Sequence, residues 1–503
     1  MIDKHNSLAE KFLKKGFWLY LFSFIIAPIG YIIKIIISGE LTVSEVGILY
    51  GVISLITLVW AFNDFWMTES LNKFIPQYIV NTDYSKIKSI LIYAILTQLF
   101  TWVILALFFF FGADYIANNF FKNELATHTL KVFSLFFIWI NIFQVITTFF
   151  MAIQNTFLTK IIELFRMWFI LLFVLLIYFL DLSNLINYSY TWIIWLFAWI
   201  IIAIYIFYKK YHINYFKNIK IIWSKDLYWE IFKYAIRVFL WAQAATILWQ
   251  VDMQMIIYLL WTTDAWYYTN YLSIIWIPFM IIWPIFALLF PIFAEMYTRR
   301  EIEKIKLVKS IFQKNFLAIW IAFNILFFVF AEIIAYILFW EKFIESWTIL
   351  KYSILLLTFN FLLQINFNIM AWIWKVKDRV KIISIALIFN FIMNLFLIKL
   401  IWVYGASLAT WLWWILIWIL SEYFLWKQYF VKLDYKFLFK NIIFMGFIWF
   451  LVNNYLLNIF EWINRINSLL YLVLFSMIYF IIFIIINIKE FKSFILEIKK
   501  LKH

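Results

Sequence analysis

Two ionisable side chains lie deep inside long apolar runs of this 503-residue chain. Lys34 stands eighteen residues into the run that opens at Gly16, and Asp252 stands a similar distance into the run that opens at Tyr234. At the rise of an α-helix that depth is about 27 Å, which places both in the outer half of a bilayer if the runs start at the inner face. A charge at the centre of a membrane helix costs about 2.5–3.5 kcal/mol on insertion scales, so such groups are candidates for binding a charged ligand or for pairing with each other. The simpler alternative is that each snorkels to the outer interface.

Other polar groups form patterns with helical spacing. Gln243, Gln250 and Gln254 fall on one face of a helix and could line a wet cavity. Asn360, Gln364 and Asn368 share a face by their four-residue spacing and read as interhelical glue, at about 0.6–2 kcal/mol per hydrogen bond. Arg237 opens its apolar run, while Asp64 and Glu69 close an earlier one. Together they are candidates for an inner gate, against the plainer reading of Arg237 as a positive anchor. Lys160, Glu163 and Arg166 recur at three-residue spacing, which permits local ion pairs worth a few tenths of a kcal/mol.

Signatures of enzyme chemistry are missing. Cysteine is absent, and His5, His128, His212 and His503 are scattered without metal-ligand spacing. No glycine-rich phosphate loop occurs, and no two aspartates stand two residues apart. The reading is of a non-enzyme without cofactor or metal.

The elements that must position these groups are membrane helices. The chain is 67% hydrophobic and 14% charged, far from the roughly 45–50% apolar and about 25% charged composition of soluble domains. Apolar runs long enough to cross a bilayer recur from end to end. Cutting at charged or turn-rich breaks predicts fourteen spans, near 16–38, 47–65, 88–112, 129–150, 160–180, 190–208, 234–259, 269–293, 312–337, 347–371, 381–400, 403–424, 441–459 and 468–487. With both termini cytoplasmic, the inner segments together with the inner ends of the spans hold 35 of the 42 Lys and Arg residues, which is the asymmetry of the positive-inside rule. The net charge of +15 is therefore assigned to topology and not to nucleic acid.

The longest inner loop, about 208–233, carries six lysines and separates six spans from eight. An internal repeat supports the same division. Ser44–Ile56 aligns without gaps on Thr263–Ile275, Glu45 facing Asp264 and Ser54 facing Ser273. The offset is 219 residues and six spans, an even number, so the repeat is parallel. It maps Lys34 onto Met253, beside Asp252. That suggests the two charges face each other across a cavity.

One composition value is anomalous. The chain has 8 Gly and 30 Trp, together 7.6% of residues, close to the ordinary glycine share of about 7%. This would follow if UGA codons that the cell reads as glycine had been translated as tryptophan. Interfacial aromatic belts are the other source of Trp, yet Trp139, Trp199, Trp276, Trp283 and Trp413 lie well inside apolar runs. The repeat sets Trp266 opposite Gly47.

With selected Trp positions read as Gly, the chain resembles the oligosaccharide flippases of the multidrug/oligosaccharidyl-lipid/polysaccharide exporter superfamily. The residues that carry the resemblance are Val46-Gly47 with Tyr50, Ala61-Phe62-Asn63-Asp64-Phe65-Trp66 and Phe74-Ile75-Pro76. They continue through Asp252, the Asp264–Tyr268 turn, Leu289-Phe290-Pro291, Leu338–Glu341 and the Tyr404–Thr410 run. The similarity covers roughly residues 10–425. It departs from the family pattern at Trp66, Trp266 and Trp340, and less firmly at Trp60 and Trp411.

The resemblance implies an all-α integral membrane protein with two pseudo-symmetric six-helix lobes and two C-terminal helices. The N-lobe would be 1–208, a basic cytoplasmic linker 209–233, the C-lobe 234–425, and helices 13 and 14 with a basic tail 426–503. It implies alternating access, and transfer of an isoprenoid pyrophosphate-linked glycan across the bacterial cytoplasmic membrane. Lys34 would then meet the pyrophosphate when its pairing with Asp252 opens. The implied partners are the lipid-linked glycan, membrane lipids, and a glycan polymerase or glycosyltransferases. A drug or metabolite extruder of the same superfamily is the nearest alternative. A membrane-embedded polymerase or glycosyltransferase is disfavoured by the short outer loops.

Overall fold

A computed structural model of the chain describes residues 8–63, 67–153, 155–298, 300–339, 345–354, 357–372, 376–455 and 465–493. Among the described residues each predicted span is helical, 312–337 and 347–371 each being divided between two helices, and no strand occurs. The helices are α1 Leu8–Glu40, α2 Val43–Asn63, α3 Met67–Val80, α4 Tyr84–Phe111, α5 Ala113–Ile116, α6 Ala126–Ala152, α7 Thr156–Phe179, α8 Leu185–Phe207 and α9 Lys225–Leu259. They continue with α10 Thr262–Thr298, α11 Ile302–Val329, α12 Ala331–Phe339, α13 Glu345–Ser353, α14 Leu357–Trp372, α15 Val376–Ile401, α16 Val403–Tyr429, α17 Tyr435–Tyr455 and α18 Arg465–Ile486. Among the described residues eight helices are each long and apolar enough to cross a membrane alone, and α6, bent near Ile138, makes a ninth if it is counted as one span.

The burial pattern is that of a protein whose solvent is lipid. The most apolar span, Leu469–Ile486, has only 11% of its residues buried, whereas Ile302–Val329 has 72%. In water the ranking would be reversed. Phe100, Phe108 and Phe111 of α4 present large exposed rings, as a lipid-facing helix should. Helices satisfy all their backbone groups internally, which is why this environment admits them. The chain is an all-α integral membrane protein.

The repeat reaches beyond this one segment: the starts of α2, α4 and α8 match those of α10, α11 and α16, each within one residue of the 219-residue offset. The agreement reaches capping chemistry. At the start of α2, Glu45 Oε2 accepts from the Thr42 backbone N–H at 2.9 Å, while Thr42 Oγ1 accepts from the Glu45 N–H at 3.3 Å. This is a capping box. At the start of α10, Asp264 Oδ2 accepts from the Trp261 N–H at 3.1 Å. Residues 261 and 42 are repeat equivalents, so the Glu45/Asp264 match is a shared cap.

By contact the chain divides into two compact units, Met1–Trp266 and Tyr267–His503. In the first, α6 packs on α4 and α8, α1 packs on α7, and α2 packs on α9. The short α3 is amphipathic and buries Met67, Leu71, Phe74, Ile75 and Tyr78 on one face against α4, α6 and α9. In the second unit α16 packs on α15 and α14, and α11 packs on α17 and α14.

The predicted linker is partly ordered helix. Residues Tyr208–Phe216 continue α8 in wider π-type turns, and α9 starts at Lys225, nine residues before its apolar run. Ser224 supplies the cap, its side chain accepting from the Leu227 N–H at 3.2 Å. The segment between them is tied to α4: Lys88 Nζ donates to the carbonyls of Phe216 and Ile219, and the Tyr93 hydroxyl to that of Ile222. An apolar run marks where a helix meets lipid, not where its hydrogen bonding begins.

Candidate substrate site

Lys34 is carried near the C-terminal end of α1 and is 6% exposed. Its ammonium lies 4.6 Å from the ring centroid of Trp266 and 5.1 Å from that of Tyr50. Both distances are within cation–π range. The two rings are themselves 4.9 Å apart. Tyr50 belongs to α2 and Trp266 to the first turns of α10, so three helices converge on one buried cation.

A polar network adjoins the rings. Ser54 follows Tyr50 by one turn and shares its face of α2. Its hydroxyl donates to Gln250 Oε1 at 2.6 Å and accepts from Gln254 Nε2 at 2.9 Å. Two of the three expected glutamines therefore meet one serine and tie α2 to α9. Asp252, 4% exposed, lies midway between them in sequence and on the opposite side of α9. The side chains of Arg237 and Gln243, and the whole of Asp64, lie outside the described residues.

Glycine permits the approach of the elements that carry this site. A Cβ at Gly47 would stand 1.9 Å from the Thr262 carbonyl oxygen, and one at Gly51 would stand 2.7 Å from Ile257 Cδ1. The backbones of α2 and α10 touch at Gly47, which no other residue allows without displacement.

The last turn of α2 is fastened by amides. Asn63 donates to Asn141, the Trp60 indole donates to Gln144 Oε1 at 3.2 Å, and Gln144 Nε2 donates to Thr68 Oγ1 at 3.2 Å. Trp60 thus has a partner for its N–H, as a genuine tryptophan would. Lys160 and Glu163 pair at 2.7 Å on α7, and the Arg166 guanidinium lies 5.5 Å from the Trp195 ring. Trp66 and Trp340 lie outside the described residues.

Sequence patterns missed one centre. In the second unit Lys309 of α11, 0% exposed at its side chain, donates to both carboxylate oxygens of Glu422 on α16 at 3.0 Å. It also donates to the Tyr429 carbonyl at 3.2 Å. Asn366 of α14 donates to Glu422 Oε1 at 3.1 Å and to Ser421 Oγ at 2.9 Å. Asn366 of α14 thus bonds across helices, whereas Asn368 of the expected stripe donates to the Gln364 carbonyl of its own helix. Lys309 precedes its apolar run and reads as a loop residue. The only local signal was a glutamate near the end of an apolar run.

Among the described residues no group of His, Asp and Glu is placed to hold a metal ion. What the first-unit site offers is one buried cation, two aromatic faces and a row of neutral amides and hydroxyls. Such a set suits an anion joined to a hydroxyl-rich group.

Comparison with known proteins agrees with this membrane fold. An uncharacterized membrane protein of Methanocaldococcus jannaschii is 25% identical over 98% of this chain and 100% of its own length. Among solved structures, an inward closed conformation of the lipid II flippase MurJ superposes with a TM-score of 0.68 at 14% identity, covering 93% of this chain and 99% of that one. An inward-facing multidrug resistance transporter of the MATE family in the MOP superfamily gives 0.65 at 13% identity, over 87% of this chain and 96% of its own. These likenesses concern the fold. The model of the polysaccharide biosynthesis protein family matches residues 12–297, more than half of the sequence, and the chain belongs to that family.

Proposed function

We propose that this protein flips an isoprenoid (pyro)phosphate-linked oligosaccharide across the bacterial cytoplasmic membrane by alternating access, with both termini in the cytoplasm. The observation that carries the reading is the burial of Lys34 among Tyr50, Trp266 and the Ser54–Gln250–Gln254 network, in a chain of the polysaccharide biosynthesis family. The lysine answers the phosphate charge, and amides and hydroxyls replace water around the sugar. The isoprenoid remains in lipid.

In this reading residues 1–208 and 234–425 act as the two moving lobes, and the 219-residue repeat is their common ancestor. Lys34 and Asp252 neutralise each other when the outer side is closed, and opening hands Lys34 to the phosphate. Arg237 and Asp64 serve the inner entry, and Gln243 extends the amide face of α9. Moving one charge through the membrane potential contributes about 2.3 kcal/mol per 100 mV, enough to bias the cycle without a nucleotide.

The test is a translocation assay with purified protein in liposomes that contain a labelled lipid-linked oligosaccharide. Exposure of the glycan to an external glycosidase should rise with time only in liposomes holding the protein. Glycan extension without translocation, or export of small amphiphiles with no movement of the lipid-linked glycan, would overturn the proposal.

A further inference from the structure

Five non-glycine residues have positive φ among the described residues, and one of them is unlike an ordinary left-handed turn. Lys122, at φ 54° and ψ 32°, has the left-handed helical geometry that ends many helices. Trp402, at the junction of α15 and α16, has φ 57° and ψ −145°. A side chain bearing a Cβ collides with its own backbone there, and the region is close to glycine's preserve. The junction is also tight. A Cβ at Gly405, three residues on, would stand 2.2 Å from the Leu397 carbonyl oxygen and carbon. The turn is built for two residues without side chains, and the sequence supplies one glycine and one tryptophan.

The start of α10 carries a second, independent sign. Gly47 meets the backbone of Thr262, and the repeat maps this contact onto residue 266 against Val43. The equivalent of a glycine that touches backbone is Trp266, wholly buried. A third sign is chemical. The indole N–H groups of Trp195, Trp199, Trp320, Trp411 and Trp418 are buried with no hydrogen-bond partner, whereas buried tryptophan usually finds one. Aromatic belts explain none of these three observations.

We propose that the codons written as tryptophan at positions 402 and 266 are read as glycine in the cell that makes this protein. The same decoding accounts for 8 Gly beside 30 Trp, and for the five stranded indoles. Trp60, whose N–H is bonded to Gln144, is a position where tryptophan fits. The inference does not depend on the transport reading. It does alter the site: with glycine at 266 the Lys34 ammonium keeps the Tyr50 face and gains, on its other side, the room of an indole.

Peptide mass spectrometry of the protein isolated from its own cells decides the matter, because the two residues differ by the whole mass of the indole-bearing side chain. Glycine is expected at 402 and at 266, and tryptophan at either position overturns the proposal. A second measurement tests the backbone argument in protein made with tryptophan. Trp402→Gly should raise the thermal unfolding midpoint, while Trp402→Ala, which keeps a Cβ, should not match it. An equal rise in both variants would mean that indole bulk, not backbone geometry, is the fault at 402, and would remove that support.

Discussion

Among the described residues two lysines are buried, Lys34 and Lys309, and their surroundings differ. Lys309 donates to both oxygens of Glu422 and to a carbonyl, and through Asn366 the pair joins α11, α14 and α16. Lys34 is set against the faces of Tyr50 and Trp266, beside a serine and two glutamines. Carboxylate oxygens in hydrogen-bond contact hold a cation in one place. Aromatic faces stabilise a cation without fixing its direction. The first arrangement ties helices together, and the second is the one to which the proposed function assigns the ligand.

The largest effect should come from breaking the paired lysine. Glu422→Ala leaves Lys309 charged and buried, which costs about 3–5 kcal/mol, and the unfolding midpoint should fall sharply. Replacing both partners together, Lys309→Met with Glu422→Leu, should recover most of that loss. A single substitution with almost no effect on the midpoint would remove the contrast.

Lys34→Ala should act the other way. Glycan translocation should drop at least about tenfold, equivalent to about 1.4 kcal/mol in the barrier, while the midpoint stays or rises. Loss of folding in this variant would make Lys34 structural like Lys309. The proposed partnership with Asp252 is tested by the charge swap Lys34→Asp with Asp252→Lys. It should restore part of the transport lost in each single variant, and absence of rescue would dismiss the pairing.

A smaller change concerns the capping box that positions Tyr50. Thr42→Ala should lower stability by about 1 kcal/mol, read as a shift in the denaturation midpoint. The smallest is a pH effect outside the spans. Lys314 donates a hydrogen bond to Asp434 at 3.0 Å and holds its carboxyl below the usual aspartate range. A depressed folded-state pKa stabilises the protein above the ordinary aspartate value and loses that contribution as pH falls through the folded one. Asp434→Asn should therefore lower stability slightly at neutral pH, leave it nearly unchanged at acid pH, and flatten the stability curve between the two.

Much of the fold was legible in the chain because its cause is local. A run of apolar residues of bilayer length is helical whatever its neighbours do, since lipid offers its backbone no other hydrogen-bond partner. The described residues of all fourteen predicted spans accordingly lie on helices, with 312–337 and 347–371 each divided between two. The repeat read from Ser44–Ile56 extends to the starts of α4 and α11 and of α8 and α16, and at α2 and α10 the equivalent turns keep equivalent caps in Glu45 and Asp264. Helix ends were less legible. The start of α9 at Lys225 depends on the Ser224 cap and on bonds from α4 to the preceding segment.

The candidate site divides in the same way. Lys34 and Asp252 were visible because a charge in an apolar run is costly on any account, and Gln250 and Gln254 because four-residue spacing defines a face. That both glutamines meet Ser54, and that Tyr50 and Trp266 stand over the ammonium, depends on how α1, α2, α9 and α10 pack. Glu422 gave little warning, since its partner Lys309 is 113 residues away.

By itself the sequence determined an all-helical membrane chain, its doubled construction and its shortage of glycine, for hydropathy, periodicity and composition are properties of the chain alone. The tertiary structure brought Lys309 to the Glu422 carboxylate and Lys34 to the rings at 50 and 266. It also set the positive φ at Trp402 and the close approach at Gly47 on which the proposed decoding rests. Those depend on distances between residues far apart in sequence, and on a backbone angle at Trp402 that follows from how closely α15 and α16 approach.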